Sequence, residues 1–110
     1  MERVFTYIWE YKVRSDKKEA FLKLYGCEGD WVRFFNKSEE YLGTDLHQDI
    51  DNEERFISVD FWKSKEARDD YRKEFNSEFN SLDEQGELTT ESETPIGEFY
   101  VYSDRFEKLK

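Results

Sequence analysis

Residues 56–79 join a strand directly to an amphipathic helix, and this stretch constrains the fold more than any other part of the chain. Its first seven residues, FISVDFW, are mainly β-branched and aromatic with polar interruptions, which is typical of a strand that ends at Trp62. Ser64 is placed to cap the helix that follows. Apolar residues then recur every fourth position, so we expect one side of the helix to lie on a sheet. They are Ala67, Tyr71, Phe75 and Phe79, with Leu82 three positions further on.

Residues 3–13, RVFTYIWEYKV, predict a first strand that is apolar on both faces. Every odd position from Phe5 to Val13 is apolar or aromatic, while the even positions become charged only at Glu10 and Lys12. A strand with one face in water alternates between apolar and polar residues. We therefore expect both faces of this strand to be covered over most of its length.

Two helical segments are predicted after the first strand. Asp16 and Glu19 have the spacing of a capping box, and Gly26 can end the helix that they begin. Asp30 is expected to cap a second, short helix over residues 31–35. The connection between the first two strands is thus predicted to be mostly helical.

The second strand is predicted over residues 42–50, and the polar residues 51–54 that follow it indicate a turn. This strand and the strand at residues 56–62 are therefore expected to pair as a hairpin. The side chains expected on one face of the second strand are Leu42, Thr44, Leu46 and Ile50.

Beyond the long helix, residues 82–93 are polar and irregular, and they predict a mobile loop. Pro95 opens the last strand, residues 96–103, in which Gly97 marks a bulge or a close packing contact.

The order strand, helix, strand, strand, helix, strand is the split βαβ arrangement of ferredoxin-like α+β folds, which have a four-stranded antiparallel sheet. The length predicts one domain over residues 1–110, with a charged tail at residues 104–110. Two helices can cover only one face of such a sheet, which leaves several aromatic side chains on the other face. Burial of that face against a second copy is the simplest remedy, so we expect a homodimer formed through the sheet.

The composition narrows the range of partners. The chain is 40% charged with a formal net charge of −10, so it repels phosphates and anionic lipid head groups, and we expect neither nucleic acid nor a membrane as partner. No basic-then-apolar leader opens the sequence, and no apolar run approaches the roughly 20 residues of a membrane span. The single cysteine, Cys27, suits a reducing compartment, and we expect a cytoplasmic protein.

The sequence contains no pattern of metal or cofactor ligands. His47 and Cys27 are the only residues of their types and lie 20 positions apart, whereas a metal site needs several converging ligands. There is no glycine-rich phosphate loop, nucleotide fingerprint or nucleophile elbow. We therefore expect neither a metal nor a cofactor.

The run DFWKSKEA at residues 60–67 resembles the strand-to-helix junction of the antibiotic biosynthesis monooxygenase-like family. In that family a strand ends in Trp, and Ser, an acidic residue and Ala then open the helix. The pair Gly43-Thr44 resembles the start of the family's second strand, and YGCEGDW at residues 25–31 is similar to one branch of these dimeric α/β-barrel proteins. The resemblance extends from the first strand to the last.

The resemblance implies a dimer whose two sheets face each other as a barrel, with a pocket in each subunit between sheet and helices. Some members are cofactor-free oxygenases of aromatic polyketides, others isomerise or break down small molecules, and one branch degrades haem. The haem branch uses an Asn on the first strand, the Trp at the strand end, and a His on the next helix as iron ligand. Here the first strand has no Asn and the helix has Tyr71 and Arg72 but no His, so haem degradation is not expected.

The candidate catalytic residues are His47 or Asp60 as a base and Tyr71 as a hydrogen-bond donor. Asp60 shares a strand face with aromatic neighbours, where a carboxylate is unfavourable unless it is paired or hydrogen-bonded. If that face lines the pocket, Asp60 is a base with a raised pKa. If it faces the dimer partner, an ion pair across the interface is expected, and this arrangement is preferred. The same two alternatives, a position in the pocket or against the dimer partner, apply to Glu10 on the first strand.

Four aromatic residues are expected to line the pocket. Trp62 either stacks on an aromatic ligand or anchors the helix on the sheet, and the second role is preferred. Tyr71 either donates its hydroxyl to a bound carbonyl or phenolate, or reaches solvent while its ring packs in the core. The other three wall residues are Phe34, Phe35 and Trp31.

The resemblance implies a small-molecule-binding domain that acts as a cofactor-independent monooxygenase on a phenolic or quinol-type compound. The alternative is a non-catalytic dimeric binding or interaction domain of unknown ligand. The enzyme requires an apolar pocket into which Asp60, Tyr71 or His47 points. In the alternative, that space is filled by aromatic rings, namely Phe21, Phe34, Phe35 and Phe75.

Overall fold

The computed structural model describes residues 2–106, which form four strands and four helices. The strands are β1 (Glu2–Val13), β2 (Tyr41–Gln48), β3 (Arg55–Trp62) and β4 (Thr90–Ser103). The helices are α1 (Lys18–Tyr25), α2 (Asp30–Phe35), α3 (Lys65–Glu74) and α4 (Asn76–Glu87).

The strands form one sheet in the order β2-β3-β1-β4, and each neighbouring pair is antiparallel. The hairpin expected between β2 and β3 is present. This is the ferredoxin-like α+β arrangement, so the predicted fold is confirmed.

β1 is apolar on both faces because both faces carry packed side chains. Its odd positions, including Phe5 and Tyr11, belong to the core between the sheet and the helices. On the opposite face, Val4 packs with Phe61 and Phe106 in a second cluster. The aromatic positions of β1 face the helices. The aromatic side chains expected on the back face come from other segments, namely Phe61, Phe106 and Phe99, which pairs with Thr6.

The long helix is divided at Phe75, where the backbone leaves helical geometry (φ −110°, ψ 39°) before α4 begins. The loop predicted at residues 82–93 was wrong, because α4 continues to Glu87 and β4 begins at Thr90. Its polar residues become a strand by pairing with β1, for example Glu93 with Tyr11. Such pairing is a tertiary interaction that local composition does not reveal.

A glycine inside α4 reflects close packing rather than a loop. A Cβ atom at Gly86 would lie 2.1 Å from the Tyr25 hydroxyl oxygen, well inside contact distance. A side chain at this position would have to displace Tyr25, which offsets the conformational cost of a glycine in the helix.

The capping predictions had mixed outcomes. Ser64 accepts a hydrogen bond from the Ala67 amide at 3.1 Å, and α1 ends at Gly26, both as predicted. The caps assigned to Asp16 and Asp30 were wrong, because the residues at those cap positions are Lys17 and Gly29 and neither helix has a side-chain cap. Packing fixes α1 instead, since Phe21 is fully buried.

Bulges interrupt both edge strands. In β2 the pairing with β3 shifts between Tyr41 and Gly43, and Gly43 has a positive φ of 136°. The single face predicted for β2 was therefore wrong, because Leu42 packs on the back of the sheet and Ile50 is 97% exposed. In β4 the register shifts beside Gly97, which has φ 150°, so the bulge predicted there is confirmed.

The start of the predicted charged tail packs on the sheet. Phe106 is 2% exposed, and Arg105 forms a bidentate ion pair with Asp45 at 2.7 and 2.9 Å. Residues 107–110 lie outside the described residues. Between residues 2 and 106, no helix combines the length and the apolar character that crossing a bilayer requires.

The Ser64 cap provides a test of this local structure. Ser64→Ala removes the acceptor of the Ala67 amide, so we expect the free energy of unfolding to fall by about 1 kcal/mol. Asp16→Ala is the matched control and should leave stability nearly unchanged, because Asp16 does not cap α1. Urea unfolding measures both, and equal losses would contradict the assignment.

Candidate functional site

A cavity of about 470 Å³ lies between the sheet and the helices. Its floor comes from β1 and β3, and its roof comes from α2, α3 and α4. The principal floor residues are Tyr7, Trp9, Tyr11, Ser58 and Asp60. The principal roof residues are Trp31, Phe35, Arg68, Arg72 and Phe79.

The strand register brings the floor residues together. Tyr7 pairs with Asp60 and Trp9 pairs with Ser58 across β1 and β3. Directly paired side chains lie on the same face of a sheet, and alternate residues of each strand share that face. The β1 aromatics and the β3 polar residues therefore face the helices together, and the Tyr7 and Trp9 rings stack at 5.5 Å.

Asp60 is the carboxylate in the middle of this floor. Burial raises its pKa from 3.8 to about 6, although a hydrogen bond from Thr44 and the charge of Arg68 both act in the opposite direction. Thr44 Oγ1 donates to Asp60 Oδ1 at 2.6 Å. The carboxyl group can therefore change its protonation state near neutral pH, as a general base requires.

Arg68 places a positive charge in the roof. Its guanidinium lies over the Tyr7 ring at 4.8 Å and over the Phe79 ring at 5.5 Å, and its side chain is 18% exposed. It forms an ion pair with Asp69 at 3.5 Å. A guanidinium held by rings beside a carboxylate can stabilise an anion formed in the cavity.

The other end of the cavity is acidic and phenolic. The Tyr25 hydroxyl donates to Glu93 at 3.0 Å, and the Tyr11 and Ser58 hydroxyls lie 3.2 Å apart. Burial raises the pKa of Glu93 and of Asp83, which also lines the cavity. Burial likewise raises the pKa of both tyrosines, so they remain neutral donors.

One polar atom in the cavity wall lacks a partner. The indole N–H of Trp31 is buried and has no hydrogen-bond acceptor of normal geometry within residues 2–106, although the Tyr25 hydroxyl lies near it. The atom is closed off from solvent, so its nearest acceptor is the Tyr25 hydroxyl rather than a ligand.

Three of the predicted site residues line the cavity: Asp60, Trp31 and Phe35. Asp60 faces the helices, contrary to the preferred expectation that it faces a dimer partner. Trp62 lies beneath the cavity wall at 1% exposure, where it anchors the ring layer, as preferred. Tyr71 donates its hydroxyl to the Phe34 carbonyl at 2.5 Å, so both residues are part of the packing beside the cavity.

His47 and Glu10 lie on the other face of the sheet. His47 pairs with Ile57, whose side chain points away from the helices, and it is exposed. Glu10 accepts a hydrogen bond from Arg55 at 2.5 Å on that face. The two predicted bases, His47 and Asp60, are therefore on opposite sides of the sheet. Across residues 2–106, no three His, Cys, Asp or Glu side chains are grouped as metal ligands would be.

Sequence reasoning missed Arg68 and the role of Thr44. Arg68 and Arg72 are four residues apart and directly follow Ala67 and Tyr71 of the apolar stripe. That spacing places two cations at the edge of the buried helix face, and it was the sequence signal that could have identified Arg68 as a cavity residue. Thr44 had no comparable signal, because its contact with Asp60 depends on the β2–β3 register.

The comparisons with known proteins agree with this architecture. The sequence model of the antibiotic biosynthesis monooxygenase family matches residues 4–75, which span most of β1 and all of α1, α2, β2, β3 and α3. No curated protein matches the chain.

Solved structures with the same fold cover nearly the whole chain. SnoaB, a cofactor-independent oxygenase from Streptomyces nogalater, has a TM-score of 0.71 at 12% identity, covering 93% of this chain and 96% of its own. A conserved protein from Methanosarcina mazei Go1 has a TM-score of 0.70 at 16% identity, covering 92% and 93%. At these identities the likeness concerns the fold alone. The match over residues 4–75 is of the sequence itself, and the chain therefore belongs to the antibiotic biosynthesis monooxygenase family.

Proposed function

We propose that this domain binds a small aromatic compound in the cavity and acts as a cofactor-independent monooxygenase on a phenolic or quinol-type substrate. The observation that carries the proposal is that Asp60 and Arg68 line the same aromatic-walled cavity, where the charge of Arg68 acts on the Asp60 carboxyl group. Aromatic walls suit a planar ring, and the two charged groups supply a base and a positive charge. SnoaB, which shares the fold, is a cofactor-independent oxygenase, and this agrees with the proposed chemistry.

The reaction begins with proton transfer. Asp60 removes a phenolic proton, and the substrate becomes an electron-rich anion stabilised by Arg68. The anion transfers one electron to dioxygen, and the resulting radical pair combines to form a carbon–oxygen bond. The peroxide anion takes the proton back from Asp60.

Cleavage of the oxygen–oxygen bond completes the reaction. The carbon that bears the peroxide loses its hydrogen as a proton, the distal oxygen leaves with both bonding electrons, and water is released. A phenol and dioxygen thus give a quinone and water. The substrate supplies all the electrons, so the cycle requires no reductant beyond the phenol itself.

Of the two candidate bases, Asp60 is the one we assign. It lines the cavity and titrates near neutral pH, whereas His47 lies across the sheet. Tyr71 is not assigned as a donor, because its hydroxyl is bonded to the Phe34 carbonyl.

We also infer that two copies associate through the back of the sheet. Phe99 and Ile96 on β4 are 45% and 47% exposed, and partly buried aliphatic side chains such as Val59 extend this surface. Phe106 packs on Val4 and Phe61 of this surface. A continuous apolar surface of this kind is typical of a symmetric interface.

Oxygen uptake with a panel of quinols under air tests the catalytic assignment. We expect uptake that rises with pH through about 6, because Asp60 must be ionised to act as a base. Asp60→Asn should lower the rate by about 100-fold or more. Asp70→Asn, an exposed carboxylate change on α3, is the matched control and should retain the rate.

Two outcomes distinguish the enzyme from a binding domain. Uptake no faster than in buffer, together with a ligand-induced rise in melting temperature, would indicate a non-catalytic binding domain. Absence of both effects over the whole panel would contradict ligand binding in the cavity as well.

The ionisation of Asp60 also affects stability. Its pKa is raised from 3.8 to about 6 on folding, so the folded state favours the protonated form. The stability contributed by that form is complete below about pH 4 and is lost as the pH rises through about 6, by at most about 3 kcal/mol. Asp60→Asn keeps an acceptor for Thr44 without the charge.

We therefore expect Asp60→Asn to be more stable than the parent protein at pH 7 and equally stable near pH 4. Urea unfolding across this range measures the difference, with Asp70→Asn as the control for loss of one charge. If the difference in the free energy of unfolding between Asp60→Asn and the parent stays constant from pH 4 to pH 7, burial does not raise the pKa of Asp60.

Light scattering at micromolar concentration tests the dimer. We expect twice the chain mass of 13.5 kDa, and a monomer for Phe99→Glu, which places a charge in the proposed interface. Tyr100→Glu is the matched control, because Tyr100 is 52% exposed on the opposite face of the same strand. A parent protein that is monomeric would overturn the inference.

A further inference from the structure

A chain of hydroxyl groups leads from the edge of the sheet to the Asp60 carboxylate. Thr44 Oγ1 donates to Asp60 Oδ1 at 2.6 Å, and the Tyr41 hydroxyl is in close contact with the same Thr44 oxygen. Tyr41 is 7% exposed, and its ring packs on Trp62 and Phe35 with centroids 5.3 and 5.2 Å away. The chain is therefore held in place by the core.

The β2 bulge makes this chain possible. Residues three apart in a regular strand point to opposite faces, so Tyr41 and Thr44 would not meet. The bulge adds Leu42 as an extra residue, and Tyr41 then pairs with Trp62 while Thr44 pairs with Asp60. Both side chains consequently lie on the cavity face. Gly43 permits the bulge because its φ of 136° is rarely adopted by residues with a side chain.

The direction of the hydrogen bonds follows from the number of hydrogens. A threonine hydroxyl has a single hydrogen, and Thr44 gives it to Asp60. The Tyr41 hydroxyl must then donate to Thr44. If Thr44 donated to Tyr41 instead, the hydrogen of the Tyr41 hydroxyl would have no acceptor within residues 2–106. Burial and the charge of Asp60 raise the pKa of Tyr41, so it remains a donor.

We propose that Tyr41 and Thr44 are positioning residues that hold Asp60 Oδ1 as a fixed acceptor and leave Oδ2 as the oxygen that exchanges a proton with the ligand. A carboxyl group held at one oxygen has one orientation in the cavity. The proton taken from a ligand is then carried on the oxygen that faces it. This inference rests on the proposed function only in assigning Asp60 as the base.

Other charged and titratable groups face Asp60 from each neighbouring element. β1 contributes Tyr7 directly opposite and Tyr11, whose pKa the charge of Asp60 raises, and α3 contributes Arg68. Asp83 of α4 lines the same cavity. Arg68 favours the ionised carboxyl by its charge, whereas Thr44 favours it by a hydrogen bond. Removal of the Thr44 hydroxyl alone therefore isolates the hydrogen-bonded contribution.

Carboxyl carbon NMR of protein labelled at aspartate tests the proposal without a ligand. The Asp60 signal is assigned by its absence from Asp60→Asn, and the parent protein should titrate with a midpoint of about 6. Thr44→Val keeps the shape and removes the donor, so the midpoint should rise by about one pH unit. Thr44→Ser restores a donor and should return the midpoint toward that of the parent.

The second variant is Tyr41→Phe, which keeps the ring in the core. It leaves Thr44 free to rotate and should raise the midpoint by a smaller amount. Thr6→Val is the matched control, because Thr6 is a buried threonine that donates to the Phe99 carbonyl at 3.2 Å on the other face of the sheet. In Thr6→Val, the titration midpoint of Asp60 should equal that of the parent protein.

The outcomes separate this proposal from the catalytic one. An unchanged Asp60 midpoint in Thr44→Val, or an equal rise in Thr6→Val, would overturn the positioning role of Tyr41 and Thr44. This holds whether or not the protein oxidises quinols. If Thr44→Val does not fold, an unchanged midpoint in Tyr41→Phe would overturn it. Where turnover is observed, the pH–rate profile of Thr44→Val should move by the same amount as the NMR midpoint, whereas a merely structural role would lower the rate without moving the profile.

Discussion

The structure depends on a layer of aromatic rings packed between one face of the sheet and the helices. Trp62 is 1% exposed and contacts Phe35, Tyr41 and Tyr71 at centroid distances of 5.3 to 5.6 Å. Each large ring removes roughly 150–250 Å² from water, which allows a chain that is only 36% hydrophobic to form a core. The cavity lies beside this layer, between the sheet and the helices α2, α3 and α4.

That layer also creates the conditions for chemistry. A carboxylate beneath aromatic rings loses hydration, and for Asp60 this loss outweighs the favourable effects of Thr44 and Arg68. The same burial that makes the ionised group unfavourable brings its pKa into the range where a base is useful. Stability and reactivity therefore oppose each other at this residue, as is common at functional sites.

The two faces of the sheet have different roles because β1 is apolar on both. Its aromatic positions build the floor of the cavity, and its aliphatic positions, with Phe99 of β4, form the apolar back surface. Arg55 and Arg105 pair with carboxylates beside that surface. The sequence assigned the aromatics of β1 to neither face, and strand register settled the assignment.

The sequence by itself determined the order of the elements, the strand-to-helix junction at Trp62 and Ser64, and the family. The order of the elements and the junction are local properties, because strand alternation, helix caps and apolar helix stripes depend on residues close together in the chain. It could not determine which way Asp60 faces, that Tyr71 is bonded to the Phe34 carbonyl, or that residues 90–93 form a strand. Tertiary structure decided these points, because each depends on the register or packing of segments distant in sequence.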